Sequence, residues 1–518
     1  MPRRRIIRRG SMQSQRYFME TLLTGTIGLL GDPYSLLILA FGVLFGQIFG
    51  AIPGLTAALG VSLLLPFTFA MTPVQGIAML IGIYVGGISG GLYAATLLNI
   101  PGTPSSLVTC FDGYPMAKKG QGGLALSLGI FSSFVGGIIS LFALVLIAPQ
   151  LAKIGLMFGP WEYFSMGVMG LGVVVSLCSK DIVKGLIAAI IGMLLGMVGM
   201  DPVMGVNRFT FGAWQLSSGL PSLATLMGFF ALCEIMTQLR SVGMKTEIIA
   251  VSKVPLFPPL KMILRNIKGF SLGSFIGVII GILPGVGQVT ASLLSYNQLR
   301  QISKTPEKFG TGHEEGVVAS ETANNAVCGG ALIPMSTLGI PGDLVTSILL
   351  GGLIIHGLQP GPLLFKTNTD IIGSIFGGYL ISNLISFLMA LFLVRIFIKL
   401  LKVPMHYLFP VILVMCVIGA FTINNRMFDV WVLVGTGIVG YLLTQNGFSL
   451  PPIILGYILG PIIESNYRTA ILASRGNFLE VFTRPISVFL LILGLLFLLW
   501  PFINILRGKK TDAGARGF

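Results

Sequence analysis

Hydrophobic positions run almost unbroken along this chain, and the few interruptions carry the information. From Pro33 to Phe111 there is no Asp, Glu, Lys, Arg or His. A stretch of that length must cross or re-enter a bilayer several times, at about 20 residues per helical crossing. The apolar runs predict helices over 34–51, 73–97, 122–148, 162–178, 182–199 and 222–240, a returning limb over 55–70 that closes near Pro66, and a last helix over 485–506. Residues 17–31 are apolar but too short to span, which predicts an interfacial helix. DGYPMAKKG at 112–120 reads as a polar turn, and SYNQLRQISKTPEKFGTGHEEG at 295–316 is the most polar insertion. Between Arg240 and Lys268 stand Lys245, Lys253, Lys261 and Arg265 against a single acid, Glu247, with the proline cluster PLFPPL at 255–260. That segment reads as a cytoplasmic linker.

The apolar pattern occurs twice. GVLFGQIFGAIPGLTAALG at 42–60 is answered by GSFIGVIIGILPGVGQVTA at 273–291. Gly42, Gly46, Gly50, Pro53 and Gly54 fall on Gly273, Gly277, Gly281, Pro284 and Gly285, with the same offset from 42 to 273 as from 54 to 285. NIPGTPSS (Asn99 to Ser106) is answered by LGIPGDLVTS (338–347), so that Pro101–Gly102 falls on Pro341–Gly342. Glycine at every fourth position lines one helix face and lets a second backbone approach. Pro-Gly inside a hydrophobic run stops the helix and frees backbone groups that protein, ion, water or substrate must satisfy. Such breaks at matching places in two halves point to the binding site of a secondary transporter. The same features also suit plain packing faces with proline kinks.

The fold expected is an all-α polytopic membrane protein of about 12 spanning helices, built from two repeats with broken or re-entrant helices. Inversion of the repeats is favoured because the second begins from a basic segment and the first does not. The chain then divides into a leader and interfacial helix (1–33), a first membrane repeat (34–240), the basic linker (241–268), a second repeat (269–470), and a last helix with a basic tail (471–518).

Composition sharpens this reading. Of 518 residues 54% are hydrophobic, 69 are glycine and only 10% are charged, against roughly 25% in soluble domains. The net charge of +15 resides in tails and connections, where the positive-inside rule puts it, and does not point to nucleic acid. The five cysteines (Cys110, Cys178, Cys233, Cys328, Cys416) form no CxxC and read as buried and reduced. His313, His356 and His406 are far apart, which argues against a metal site. No triad, P-loop or dinucleotide fingerprint occurs, so an enzyme is the weakest reading. No cofactor is expected beyond a coupling Na⁺ or H⁺.

The candidate chemistry lies at the breaks. Pro53, Gly54 and Thr56, then Asn99, Pro101, Gly102, Thr103, Ser105 and Ser106, and in the second half Pro284, Gly285, Gln288 and Thr290 form tips rich in hydroxyl and amide groups. Helix N-termini present N–H groups that suit carboxylate oxygens, and the opposite ends present carbonyls that suit Na⁺. Taken singly, each hydroxyl reads as a packing residue bonded to its own turn. Asn324 and Asn325 read equally as interhelical glue or as ligands, because an unpaired amide in hydrocarbon is costly. Asp343, directly after Pro341–Gly342, and Glu321 are intramembrane acids and hence candidates for coupling a cation, with Ser336 and Thr337 beside them. For Asp343 the plainer reading is a helix N-cap or a tip that reaches water.

The runs GAIPGLTAALG, YAATLLNIPGTPSSLVTCFDGYPMAKKG, FGPWEYF, GILPGVGQ, SETANNAVCGGALIPMSTLGIPG and LIIHGLQPGPLLF resemble the large membrane subunit of the tripartite tricarboxylate transporters, from about Met19 to Arg507. The resemblance implies a carboxylate symporter of the bacterial inner membrane, driven by Na⁺ or H⁺. It further implies a small four-helix membrane subunit and a periplasmic solute-binding protein as partners; a homo-oligomer is left open. Two positions depart from the family pattern: Asp343, where a small residue is common after GIPG, and Leu55–Thr56, where glycine is common at the second place. A stand-alone transporter and an ion channel are the alternatives, separated from the first reading by whether uptake is concentrative and needs a binding protein.

Overall fold

The computed structural model describes residues 19–178, 181–201, 203–239, 248–251, 253–403 and 405–506. The Arg-rich leader and residues 240–247 and 252 of the expected linker lie outside the described residues. Regular structure is α-helical apart from one short antiparallel hairpin, Gly199–Met200 with Asn207–Arg208. The first half contains α1 (19–31), α2 (Pro33–Ala51), α3 (Ala57–Leu64), α4 (Pro73–Leu98), α5 (Thr109–Met116), α6 (Gly122–Gly155), α7 (Pro160–Cys178), α8 (Ile182–Gly196) and α9 (Ser222–Gln238). The second half contains α10 (Ile267–Ile282), α11 (Gly287–Ile302), α12 (Glu314–Leu338), α13 (Leu344–Ile355), α14 (Thr369–Leu400), α15 (Met405–Asn424), α16 (Met427–Gln445) and α17 (Leu450–Ala473), followed by α18 (Pro485–Leu506). The protein is thus an all-α polytopic membrane protein. Among the described residues five helices are long and apolar enough to cross a membrane unaided: Pro33–Ala51, Pro73–Leu98, Thr109–Gly155, Thr369–Leu400 and Met427–Gln445. Other apolar helices, including α8, α9, α10 and α13, are shorter.

Local chemistry sets where the helices start and stop. Asp32 caps α2 ahead of Pro33, and Thr72 caps α4 through a reciprocal box with Gln75 ahead of Pro73. α2 stops at an extended Ile52, and Gly54 then takes φ +87°. α10 stops at an extended Leu283, and Gly285 takes φ +72°. Proline supplies no N–H and glycine reaches the left-handed region, so the chain turns at both places.

The turn expected over 112–120 is confined to its end, at Gly120. Residues Thr109–Met116 are helical with Pro115 inside, and the chain continues through a wide turn, Ala117–Gln121, into α6 with a single kink at Gly120, φ +78°. Asp112 is buried there and satisfied by another part of the chain, so polarity at this point marks a contact rather than solvent.

The glycine faces are where backbones meet. α2 lies on α4: a Cβ at Gly46 would fall 2.3 Å from the Ile83 carbonyl oxygen, and one at Gly50 2.1 Å from that of Gly87. α10 lies on α12 in the same manner, with Gly277 against Ala323 and Gly281 against Val327, each 2.6 Å from the carbonyl oxygen. Other extensive pairings run across the halves. α6 packs on α12 and α14 on α4, while α8 packs on α17 and α16 on α9. Gly192 meets the Ile453 carbonyl and Gly456 that of Ala189, which brings α8 and α17 into backbone contact.

The two ends of the bundle differ. The linker's Val251 and Lys253 lie against Gly122 and Gly123, and the Lys119 ammonium donates to the Thr311 carbonyl, 2.6 Å, so the α5–α6 junction, the linker and the 303–313 loop share one end. Lys399 and Lys402 close α14 next to the 248–254 segment at that end. At the other end the 199–221 loop is held by Arg208 and Arg468, which pair with Asp201 and Glu464. The N–H groups of Val203 and Met204, with the two arginines, hold the Asp201 carboxyl below its ordinary range.

Valine at Gly50 or Gly281 should force these helix pairs apart and lower the melting temperature of the purified protein in detergent, at a cost of roughly 1–3 kcal/mol per site from overpacking. Gly28, where an added Cβ meets nothing within 4 Å, is the control and should accept valine without a shift.

Candidate functional site: two helix tips and a buried carboxylate cluster

The breaks resolve into two pairs, one in each half. In the second half the Gly285 N–H donates to the Gly342 carbonyl, 2.8 Å, closing the first break on the second. Gly342 fits only because it has no side chain: a Cβ would lie 2.4 Å from the Gly281 carbonyl oxygen and 2.6 Å from the Ala331 Cα. In the first half a Cβ at Gly102 would likewise lie 2.4 Å from the Gly50 carbonyl oxygen and 2.9 Å from the Gly91 Cα. α4 ends on Asn99 (φ +58°) and α12 on Gly339 (φ +70°), the left-handed residues that turn the chain into each tip. The Pro104–Leu107 turn packs on α11 and α12, and α13 packs on α3, so each half's tip touches the other half.

Asp343 is the N-cap of α13 and is buried, 2% exposed. Its Oδ1 accepts from the Thr346 N–H and hydroxyl, both 2.7 Å. Its Oδ2 accepts from the Tyr84 hydroxyl of α4 and from the Gln288 amide of α11. Both readings of Asp343 therefore hold in part: it caps a helix, and it does so without reaching water. It forms no ion pair among the described residues.

A second cluster lies on α12. Glu321 is fully buried, with Oε1 accepting from the Thr109 hydroxyl at 2.6 Å and Oε2 from the Ser133 hydroxyl at 3.0 Å. Asn325 donates to the Glu321 carbonyl, 3.1 Å, and accepts from the Ser89 hydroxyl, 2.8 Å. Ser89 and Ser133 also line a small crevice of about 10 Å³ with Asn383 and Ser386, between α4, α6 and α14.

Other candidates take plainer roles. The Ser336 and Thr337 hydroxyls bond back to Leu332 and Ile333 on their own helix and join neither cluster. Thr56 caps α3. Thr103, Ser105 and Ser106 bond among themselves around the 104–107 turn, and Asn99 is exposed. The half-buried Pro53–Gly54 turn lies beside the Gln238 side chain, which donates to Glu234 at 2.9 Å, while Pro284–Gly285 packs on Val174 and Leu455. Cys110, Cys233, Cys328 and Cys416 are buried and free.

Sequence reasoning missed Tyr84, Ser89, Thr109, Ser133 and Asp112. The first four are ordinary residues of apolar runs, and only the packing of α4, α5 and α6 against α12 and the 339–343 tip gives them a role. Asp112 had a signal, as the first charge after a 79-residue uncharged run from Pro33 to Phe111. Fully buried, it accepts from the Tyr296 hydroxyl (2.8 Å) and from the N–H groups of Gly310 (3.0 Å), Gly312 (2.8 Å) and His313 (2.7 Å). That carboxylate of the first half pins the 303–313 loop of the second.

A cleft of about 260 Å³ lies between the 199–221 loop and α13, lined by Ser218, Gly219, Ser222, Ser347, Gly351 and Tyr457 among others. Ser347 stands one helical turn beyond Asp343, and its hydroxyl donates to the Asp343 carbonyl, 3.0 Å.

Apolar helices broken at buried Pro-Gly tips, with acids and amides gathered inside the bundle, define a membrane transport protein. The chain belongs to the tripartite tricarboxylate transporter TctA family, which it matches over residues 36–455. It is similar, at 38% identity over 479 residues, to an uncharacterised 52.8 kDa protein of the TAR-I ttuC′ 3′ region of Agrobacterium vitis, covering 92% of this chain and 95% of that one. An uncharacterised protein of the TAR-II ttuC′ 3′ region of the same organism is 38% identical over 236 residues, 46% of this chain and 98% of its own length. No solved structure matches the chain.

Replacing Asp112 with Ala should free the 303–313 loop, because hydrogen bonds to a charged group contribute roughly 1.5–3 kcal/mol each and three N–H groups lose their acceptor. Faster proteolytic cleavage within 303–313 and a lower melting temperature are expected, with Asp112→Asn between the variant and the wild type.

Proposed function

We propose that this chain is the large membrane subunit of a binding-protein-dependent symporter that imports a tricarboxylate or related organic acid across the bacterial inner membrane by alternating access. Its partners are a small four-helix membrane subunit and a periplasmic solute-binding protein. Membership of the family supports this reading. The repeats are inverted, so that the linker end is cytoplasmic. The basic residues gathered there (Lys119, Lys253, Lys399, Lys402) support that orientation, against the matched Arg208–Asp201 and Arg468–Glu464 pairs at the other end. The 260 Å³ cleft between the 199–221 loop and α13 is then the substrate's vestibule from the periplasmic side.

The observation that carries the mechanism is Asp343, a buried acid at a broken-helix tip with no cationic partner among the described residues. An anionic substrate at the same tip would be repelled, since two like charges about 4 Å apart at an effective dielectric near 20 cost roughly 4 kcal/mol. A proton or co-transported cation on Asp343 removes that repulsion, and the N–H dipoles at the α13 N-terminus then favour the carboxylate. Binding of substrate and cation at the tip thereby become interdependent, which is the requirement for symport.

Asp343→Asn keeps the helix cap, because asparagine caps as well as aspartate. In proteoliposomes holding both membrane subunits, with the binding protein supplied, the variant should lose concentrative uptake driven by an imposed Na⁺ or pH gradient, by about tenfold or more, while still assembling. Wild-type accumulation by the variant would reduce Asp343 to a cap. A cysteine at position 253 should react with an impermeant maleimide only from the cytoplasmic side; labelling from the periplasm would overturn the orientation.

A further inference from the structure

The Glu321 cluster is a separate centre from the helix tip, and it has the composition of a cation cage. Its carboxylate is fully buried, forms no ion pair among the described residues, and accepts from hydroxyls of two other helices, Thr109 of α5 and Ser133 of α6. Ser320 adds its hydroxyl oxygen, which accepts from Thr109 at 3.1 Å while donating to the Gly316 carbonyl of its own helix. The Asn324 side chain, one turn along the same helix and 0% exposed, lies against the Glu321 carboxyl and has no other hydrogen-bond partner. A buried amide short of partners and a buried charge without a counter-charge are each costly. Side by side they offer oxygen donors that a small cation would satisfy together.

We propose that Glu321, Thr109, Ser133, Ser320 and Asn324 bind one Na⁺ inside the membrane. Two carboxylate oxygens, three hydroxyl oxygens and one amide oxygen supply the hard oxygen donors that alkali and alkaline-earth cations take, and a single carboxylate matches a single positive charge. The hydroxyl protons that now point at Glu321 have only to rotate for the Thr109 and Ser133 lone pairs to turn inward, so no backbone movement is needed. Ser133 belongs to both the cage and the wall of the small crevice lined by Ser89, Asn383 and Ser386. The cage draws on α5 and α6 of the first half and α12 of the second, so a bound ion ties the halves together.

The inference rests on the transport reading only for its purpose, and its test needs neither solute nor binding protein. Thermal unfolding of the purified full chain in detergent is followed as Na⁺ replaces K⁺ at constant ionic strength and pH 7. Saturable stabilisation by Na⁺ and not by K⁺ is expected, since a ligand that binds only the folded state raises the melting temperature. Glu321→Gln should abolish the response. Ser133→Ala, which removes one ligand from a hydroxyl position and folds more readily, should raise the half-saturating Na⁺ concentration by about tenfold, the equivalent of 1.4 kcal/mol. Equal stabilisation by K⁺, an unchanged Na⁺ response in both variants, or stabilisation that follows acidification instead of Na⁺ would each overturn the site. Failure of tricarboxylate uptake in the assembled transporter, with Na⁺ stabilisation intact, would instead refute the transport reading and leave the cage standing.

Discussion

The structure depends on one constraint: backbone that stops being helical inside hydrocarbon must find its hydrogen bonds from other backbone at close range. Close range here means glycine. Gly46 and Gly50 bring α2 onto α4, and Gly277 and Gly281 bring α10 onto α12, near enough that a methyl group would collide with a carbonyl oxygen. On that platform Gly102 and Gly342 seat the two tips, and the Gly285 N–H reaches the Gly342 carbonyl. Only then can α13 begin where it does, with Asp343 as its cap and Tyr84 and Gln288 as its neighbours. The chemistry of the tip is a consequence of packing among residues that have no side chain.

Three buried acids show how differently one charge can be accommodated. Asp112 faces a ring of donors, a tyrosine hydroxyl and three backbone N–H groups, and its charge is spent on holding a loop. Asp343 shares its charge with a helix terminus and two long side chains from different helices, so any shift of α4 or α11 changes its surroundings. Glu321 has two hydroxyls.

Much of this was legible in the chain. Period and length of the apolar runs placed α2, α4, α7, α9 and α18 within a few residues, because a membrane helix is specified by hydrophobicity over its whole length. The duplicated glycine and Pro-Gly spacing located both pairs of breaks, since no other residue types give that geometry. Polar residues were harder. The 112–120 segment looked like a turn by composition, but Asp112 is polar toward the 310–313 loop, some 200 positions later, and nothing local announces that. Ser336 and Thr337 looked like site hydroxyls and are absorbed by their own helix. Tyr84 gave no signal, because a tyrosine in an apolar run reads as bulk until its hydroxyl is seen to meet a carboxylate. One-dimensional pattern reports burial well and partnership poorly.

The crossed pairing of helices has a consequence for how the protein is made. α8 finds its partner in α17, and α9 finds its own in α16, so the surfaces of the first half that carry Gly192 and Gly228 stay uncovered until the ribosome has produced the far end of the chain. During that interval Glu321 has not been synthesised, and Thr109 and Ser133 face lipid or a chaperone. The first half is therefore inserted as an incomplete object, and its assembly is a late, long-range event rather than a helix-by-helix one.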